Sequence, residues 1–154
     1  MSRPQRLRSF EIDGSVRSSA DPATVMSRVI APSTWPEWQS EILSTEGPER
    51  LEPGAVVDGR ARLLGFDVHG RSAAVEVEDG AFFEDVIVGV RMRIRYTVRP
   101  DGAGSIIGHH MEADLPSGPL GRLLSVFLAR RLRKMQSELL ESLRAQAEGE
   151  SAPS

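Results

Sequence analysis

Hydrophobic and polar residues alternate over 9–17, where Phe10, Ile12, Gly14 and Val16 share one face and Glu11, Asp13 and Ser15 the other. Period two predicts a strand with one buried and one wet face. At Asp21-Pro22 the pattern changes to a helix cap followed by proline at the first helical position. Val25, Met26, Val29 and Ile30 then recur at helical spacing until Pro32 forbids continuation. Thr34-Trp35-Pro36-Glu37-Trp38 predicts a second helical turn with two indoles three residues apart. From residue 40 to 115 the text is strands and turns: 41–46, 55–64, 66–78, 81–88, 90–98 and 105–115. The breaks fall at Gly47-Pro48, Pro53-Gly54, Asp79-Gly80, Gly89 and Pro100-Asp101-Gly102, and Asp-Gly is a strong hairpin signal. After Ser117-Gly118-Pro119, a long amphipathic helix is predicted to residue 147. Its apolar stripe is Leu120, Leu123, Leu124, Phe127, Leu128, Leu132, Met135, Leu139 and Leu143.

The order is one strand, two short helices, six strands and one long helix. Hairpin-type turns imply an antiparallel sheet. A single long helix has one face to bury and the sheet one face to cover. The economical solution is α+β: a curved seven-stranded antiparallel sheet wrapped around the C-terminal helix. Residues 1–8 carry three arginines and no apolar pattern, and 148–154 are small and polar. They predict a flexible N-terminus and a disordered tail around one domain at 9–147.

Several stretches resemble one superfamily. Residues 16–19, Asp21-Pro22 and Val25 resemble its first strand and the helix that follows. Thr34-Trp35-Pro36-Glu37-Trp38 resembles its WPxW helix. Residues 104–114, followed by Gly118-Pro119-Leu120-Gly121-Arg122-Leu123-Leu124, resemble its last strand and the opening of its long helix. The chain is thereby similar, over about residues 10–147, to the SRPBCC superfamily of START domains and birch-pollen-allergen-like proteins. Within it, the polyketide cyclase/dehydrase-like group is the nearest in pattern. The resemblance implies the helix-grip fold, with a deep cavity between sheet and long helix for a hydrophobic small molecule. It does not imply one activity, since members include enzymes, carriers and proteins that bind macromolecules.

Composition narrows the chemistry. With 154 residues, the chain is long enough for one domain with a real core. The absence of cysteine excludes disulfides, a thiolate nucleophile and cysteine-ligated metal centres. A net charge of −3 gives no global pull toward nucleic acid or anionic lipid. No apolar run is long enough for membrane insertion, and the N-terminal residues lack a secretory pattern, so a cytoplasmic protein is expected. Only eight residues are aromatic, which points to a core of small aliphatic side chains.

Strand parity nominates a site. Val57, Gly59, Ala61 and Leu63 share a face, as do Met92, Ile94 and Tyr96, and Ile107, His109, Met111 and Ala113. A two-residue loop at Asp101-Gly102 sets Ile94 opposite His109, whereas a four-residue loop sets Tyr96 opposite His109. Either way the two are neighbours. The expected ligand contacts are Trp35, Trp38, Gly59, Ala61, Leu63, Met92, Ile94, Tyr96, Ile107, His109, Met111, Leu124, Phe127 and Leu128. His109 and Tyr96 are the candidate hydrogen-bonding or acid–base pair, and a core histidine satisfied by its neighbours is the alternative. Arg71 is the third candidate. It faces the cavity unless a bulge, expected at Gly70, turns it to solvent; polyketide-cyclising relatives place an arginine in the pocket. The two indoles can anchor the short helices as a lid over the cavity mouth.

Arg91, Arg93 and Arg95 form a basic stripe, but Glu112 and Asp114 on the adjacent strand offset it, which argues against nucleic acid. His109 and His110 point to opposite faces, so no metal is expected. No cofactor motif occurs. The primary expectation is a carrier or sensor of a lipid, polyketide or isoprenoid-like molecule. The alternatives are an aromatase/cyclase or dehydratase using the same pocket, and a toxin–antitoxin or ribosome-associated partner-binding module. A homodimer through an edge strand or the lid is compatible with the pattern, which does not demand it.

Overall fold

A computed structural model describes residues 8–63, 65–115 and 118–151. The expected N-terminal segment 1–8 and tail 148–154 fall partly outside these residues, as do Leu64 and the cap residue Ser117. The side chains of Leu115 and Leu120 do too. Strand β1 (Arg8–Ser18) leads into α1 (Pro22–Val29), a 3-10 turn (Pro32–Thr34) and α2 (Trp35–Trp38). Six strands follow: β2 (Ile42–Glu46), β3 (Val56–Leu63), β4 (Phe66–Glu78), β5 (Ala81–Val88), β6 (Val90–Asp101) and β7 (Gly104–Leu115). Helix α3 (Pro119–Ser151) follows. The sheet is antiparallel throughout, in the order β1-β7-β6-β5-β4-β3-β2.

Local chemistry explains the short helices. The Asp21 carboxylate accepts from the Thr24 N–H at 2.7 Å, capping α1, and Pro22 occupies the first turn. Val25, Met26 and Val29 are buried beneath it, a contribution of roughly 1.5–3 kcal/mol per fully buried side chain.

Two registers are settled by tertiary context. Tyr96 lies opposite His109, and the ladder continues to Asp101 opposite Gly104. This is the register of the longer loop, yet the turn is only Gly102-Ala103, one residue later than expected, with Gly102 at φ 59°. The bulge in β4 lies at Val75, between the pairs Ala74–Glu84 and Glu76–Phe83, rather than at Gly70. Gly70 pairs regularly with Gly59. The phase must change only between Ala74 and Val77, so the extra residue falls there and Val75 turns outward.

Helix α3 departs from expectation at both ends. It runs past residue 147, where Glu148 accepts from the Ser19 N–H at 3.0 Å and the Ser18 hydroxyl at 3.3 Å. At its start, Leu123, Leu124 and Phe127 are exposed, whereas Leu128, Leu132, Leu139 and Leu143 are buried. At about 100° per residue the expected stripe spreads over more than half the helix circumference. Only one arc of it meets the sheet, chiefly over β1 and secondarily over β7, α1 and α2. Contact with β1 is close at Gly14, where a Cβ would stand 2.8 Å from Gln136 Oε1.

Candidate functional site

A cavity of about 100 Å³ lies on the concave face of the sheet. Val57, Gly59 and Ala61 of β3, Gly70 and Ser72 of β4, and Val86 and Val88 of β5 line its wall. Met92 and Ile94 of β6, Trp35 of α2 and Met135 of α3 also line it, with Gln39, Ile42 and Thr45 beside α2. The space exists because Gly59 and Gly70 pair directly across β3 and β4, leaving no side chain at the middle of the wall. Gly59 also answers a steric demand, since a Cβ there would meet the Ser44 carbonyl at 2.6 Å. Arg60 and Arg71 border the cavity with side chains mostly in water, so the space reaches the surface.

One ionisable group is buried in this wall. Glu84 is 5% exposed, and the Ser72 hydroxyl donates to its Oε2 at 2.9 Å. Burial pushes the Glu84 carboxyl up to about 7, with the Ser72 bond opposing. The carboxyl therefore exists near neutrality both as a donor-capable acid and as an acceptor-only anion. The Tyr96 phenol is pushed up by burial and, secondarily, by the Glu84 charge.

Beside the cavity stands an aromatic cluster. Trp35 and Phe82 ring centres lie 6.5 Å apart, Phe82 and Tyr96 5.9 Å, Trp38 and Tyr96 6.0 Å, and Tyr96 and His109 4.8 Å. The indole N–H of Trp35 donates to the Val29 carbonyl at 2.9 Å and that of Trp38 to the Thr34 hydroxyl at 3.1 Å. Both indoles thus tie the short helices down as they pack. Four of the eight aromatic residues gather here, and Phe10, Phe66, Phe83 and Phe127 lie elsewhere.

Of the residues nominated by parity, Trp35, Gly59, Ala61, Met92 and Ile94 line the cavity. Trp38, Tyr96, Ile107, His109, Met111 and Leu128 are buried outside its lining. Leu63 is half-buried near the sheet end, and Leu124 and Phe127 are exposed on α3. Gln136 Nε2 lies 2.9 Å from His109 Nδ1 and also faces the His109 and Ile12 carbonyls at 3.0 and 3.2 Å. Burial, helped by the neighbouring His110, lowers His109 to about 3, against a small opposing effect of Asp13. Neutral at physiological pH, His109 lies outside the cavity lining, and its Nε2 is buried without a hydrogen-bond partner among the described residues. Arg71 is 64% exposed and donates to Asp58 at 3.0 Å on the convex face.

That convex face carries the charge ladders. Arg93 bridges Glu112 and Asp114 at 2.9 Å each, Arg91 pairs with Asp85 at 2.8 Å, and His110 Nδ1 lies 2.6 Å from Asp13. Among the described residues no three histidine or acidic side chains converge as a metal site.

Parity reasoning passed over Glu84 and Gln136, although both left a trace. A tight turn at Gly89 sets Val88 opposite Val90 and hence Glu84 opposite inward-facing Ile94. Gln136 falls between Leu132 and Leu139 at helical spacing.

A family model described as polyketide cyclase / dehydrase and lipid transport matches residues 9–148. No curated protein matches the sequence. Among solved structures, the TTHA0849 protein of Thermus thermophilus is similar at TM-score 0.80 and 16% identity, covering 93% of this chain and 100% of that one. The Zhui aromatase/cyclase from a Streptomyces species aligns at TM-score 0.78 and 11% identity, over 94% and 97% of the two chains. A START superfamily protein from Mycobacterium smegmatis aligns at TM-score 0.68 and 16% identity, over 88% and 97%. At such identities the likeness is one of fold.

Proposed function

The chain belongs to the polyketide cyclase / dehydrase and lipid transport family of the SRPBCC superfamily, and from that premise we propose that it binds an apolar small molecule bearing one carbonyl or hydroxyl group, as a carrier or sensor. The observation that carries this reading is Glu84: a carboxyl poised near neutrality and buried in a largely apolar wall, with Ser72 as its hydrogen-bond donor. Largely apolar pockets with a few placed polar groups orient ligands in this way. Below pH 7 the protonated carboxyl donates to a ligand carbonyl, and above it the donor is lost. At about 100 Å³ the cavity is smaller than the roughly 150 Å³ that holds a benzene-sized guest, so a one-ring ligand also occupies the opening to the surface beside Arg60 and Arg71. A larger ligand requires Met135, the α3 side chain in the lining, or Trp35 to move aside.

Calorimetric titration with acetophenone, a neutral one-ring ketone, tests the reading. Affinity is expected to fall as pH rises through 7, and Glu84→Gln, which keeps a donor, is expected to remove that dependence. Ala61→Phe is expected to abolish binding by filling the cavity. Gly59 is unsuited to the purpose because its substitution would strike the Ser44 backbone. Failure of acetophenone and its longer-chain homologues to bind, or binding that ignores Ala61→Phe, would overturn it.

The same carboxyl favours a second reading, an aromatase/cyclase or dehydratase. A group titrating near 7 in a low-dielectric cavity can pass a proton in either direction. Loss of turnover with retained affinity in Glu84→Gln would mark catalysis, whereas unchanged chemistry would exclude Glu84 from it.

A further inference from the structure

The start of α3 carries a second apolar face that the fold leaves uncovered. Leu123 and Phe127 are 58% and 56% exposed, with Leu124 and Val126 exposed beside them. At about 100° per residue, Leu123 and Phe127 lie roughly 140° around the helix from the buried line through Leu128, Leu132 and Leu139. A ligand in the cavity therefore cannot cover them. Phe66, 73% exposed, begins β4 at the same end of the sheet from which β7 leads into α3. Contiguous exposed apolar surface on a small domain marks an interaction site.

Charge says what kind. Residues 119–137 contain five cations, Arg122, Arg130, Arg131, Arg133 and Lys134, and no acid, whereas 138–150 contain four acids and one arginine. This order runs against the helix macrodipole, which favours acids at the N-terminal end and cations at the other, so helix stability does not explain it. Arg122, Arg130, Arg133 and Lys134 are exposed, and Arg131 pairs with Glu41 at 3.2 Å. A two-fold contact between copies of this face would set like charges against each other. A nucleic-acid duplex presents its phosphates and offers no apolar surface to bury Leu123, and bases of a single strand would stack on Phe127 alone. An anionic bilayer accepts both features: acyl chains take the apolar side chains while lipid phosphates meet the cations.

We propose that the exposed face of α3 over its first four turns docks on the surface of an anionic phospholipid membrane, lying in the interface with Leu123 and Phe127 inserted and Arg122, Arg130 and Lys134 at headgroup level. The contact is peripheral, since no helix among the described residues is long and apolar enough to cross a membrane. It stands independently of what the cavity binds.

Co-sedimentation of the purified protein with vesicles tests it, comparing phosphatidylcholine alone with phosphatidylcholine containing phosphatidylglycerol. Binding is expected only with the anionic vesicles and is expected to weaken as salt rises. Leu123→Ser combined with Phe127→Ser should lower affinity about tenfold or more while leaving the thermal midpoint unchanged, because both positions are already solvated. Arg122→Glu and Arg130→Glu should each cost roughly fivefold or more and keep the apolar face intact. Equal binding to neutral vesicles, no binding to anionic ones, or indifference to both sets of variants would overturn the proposal. So would a stable dimer that Leu123→Ser disrupts. Binding to polyglutamate as sensitive to Phe127→Ser as vesicle binding would point instead to an acidic protein partner, and would equally overturn it.

Discussion

Two buried side chains with opposite titration behaviour make the stability of this protein sensitive to pH in a way neither shows alone. Glu84 titrates near 7 in the fold against an ordinary 4.5. Across that window the folded state keeps a proton that the unfolded chain has released, so stability falls as pH rises, by roughly 1.4 kcal/mol per unit. His109 titrates near 3 against an ordinary 6.5, so between those values the unfolded chain holds the extra proton and stability rises with pH at the same slope. The two contributions cancel between pH 4.5 and 6.5. Glu84→Gln should expose the histidine slope: urea denaturation should show the variant gaining on wild type by about 3 kcal/mol from pH 4.5 to 7. Parallel pH curves for the two proteins would show that Glu84 does not carry a raised pKa. The adjacency of His109 and Tyr96 was readable from hairpin parity. The burial of His109 was not, because it comes from groups packed on it from far along the chain, such as Gln136, 27 positions away.

At the scale of elements, helix α3 sits on β1 through a glycine. A Cβ at Gly14 would press on Gln136 Oε1 at 2.8 Å and Leu140 Cδ1 at 3.0 Å. Gly14→Val should force the helix outward and cost about 1–3 kcal/mol, read as a lower thermal midpoint. Gly70→Ala is the contrasting case. Its Cβ would meet Val88 Cγ2 at 3.3 Å, the far end of a side chain, so the midpoint should change little while the cavity narrows. An equal loss in both would mean that the helix contact at Gly14 is not the limiting one. The strands and helices themselves were legible because period two and helical spacing are properties of neighbouring residues. The bulge at Val75 and the turn at Gly102-Ala103 were misplaced by sequence reading. Several positions satisfy the local pattern equally, and only the partner strand chooses among them.

At the scale of the molecule, ligand and membrane should act on different observables. A ligand that occupies the cavity stabilises the folded state by about 2.7 kcal/mol at a hundred times its dissociation constant. For a chain of this size that corresponds to roughly 5–10 °C in thermal midpoint. Differential scanning fluorimetry with acetophenone should show that rise in wild type and not in Ala61→Phe. A rise that survives Ala61→Phe would place the ligand elsewhere on the surface.

The sequence by itself determined the order of elements, the inward parity of most strands and the α+β class, each written in spacings between near neighbours. The superfamily was legible through the resemblance of its motifs. Tertiary structure alone decided which arc of α3 meets the sheet, leaving Leu123 and Phe127 outside and Leu132 within. It also decided that the space on the concave face is about 100 Å³ and that Glu84 stands in its wall. Volume and desolvation arise from groups far apart in the chain. A carboxylate on an alternating strand looks the same whether water or a valine lies across from it, and only the packed fold distinguishes the two.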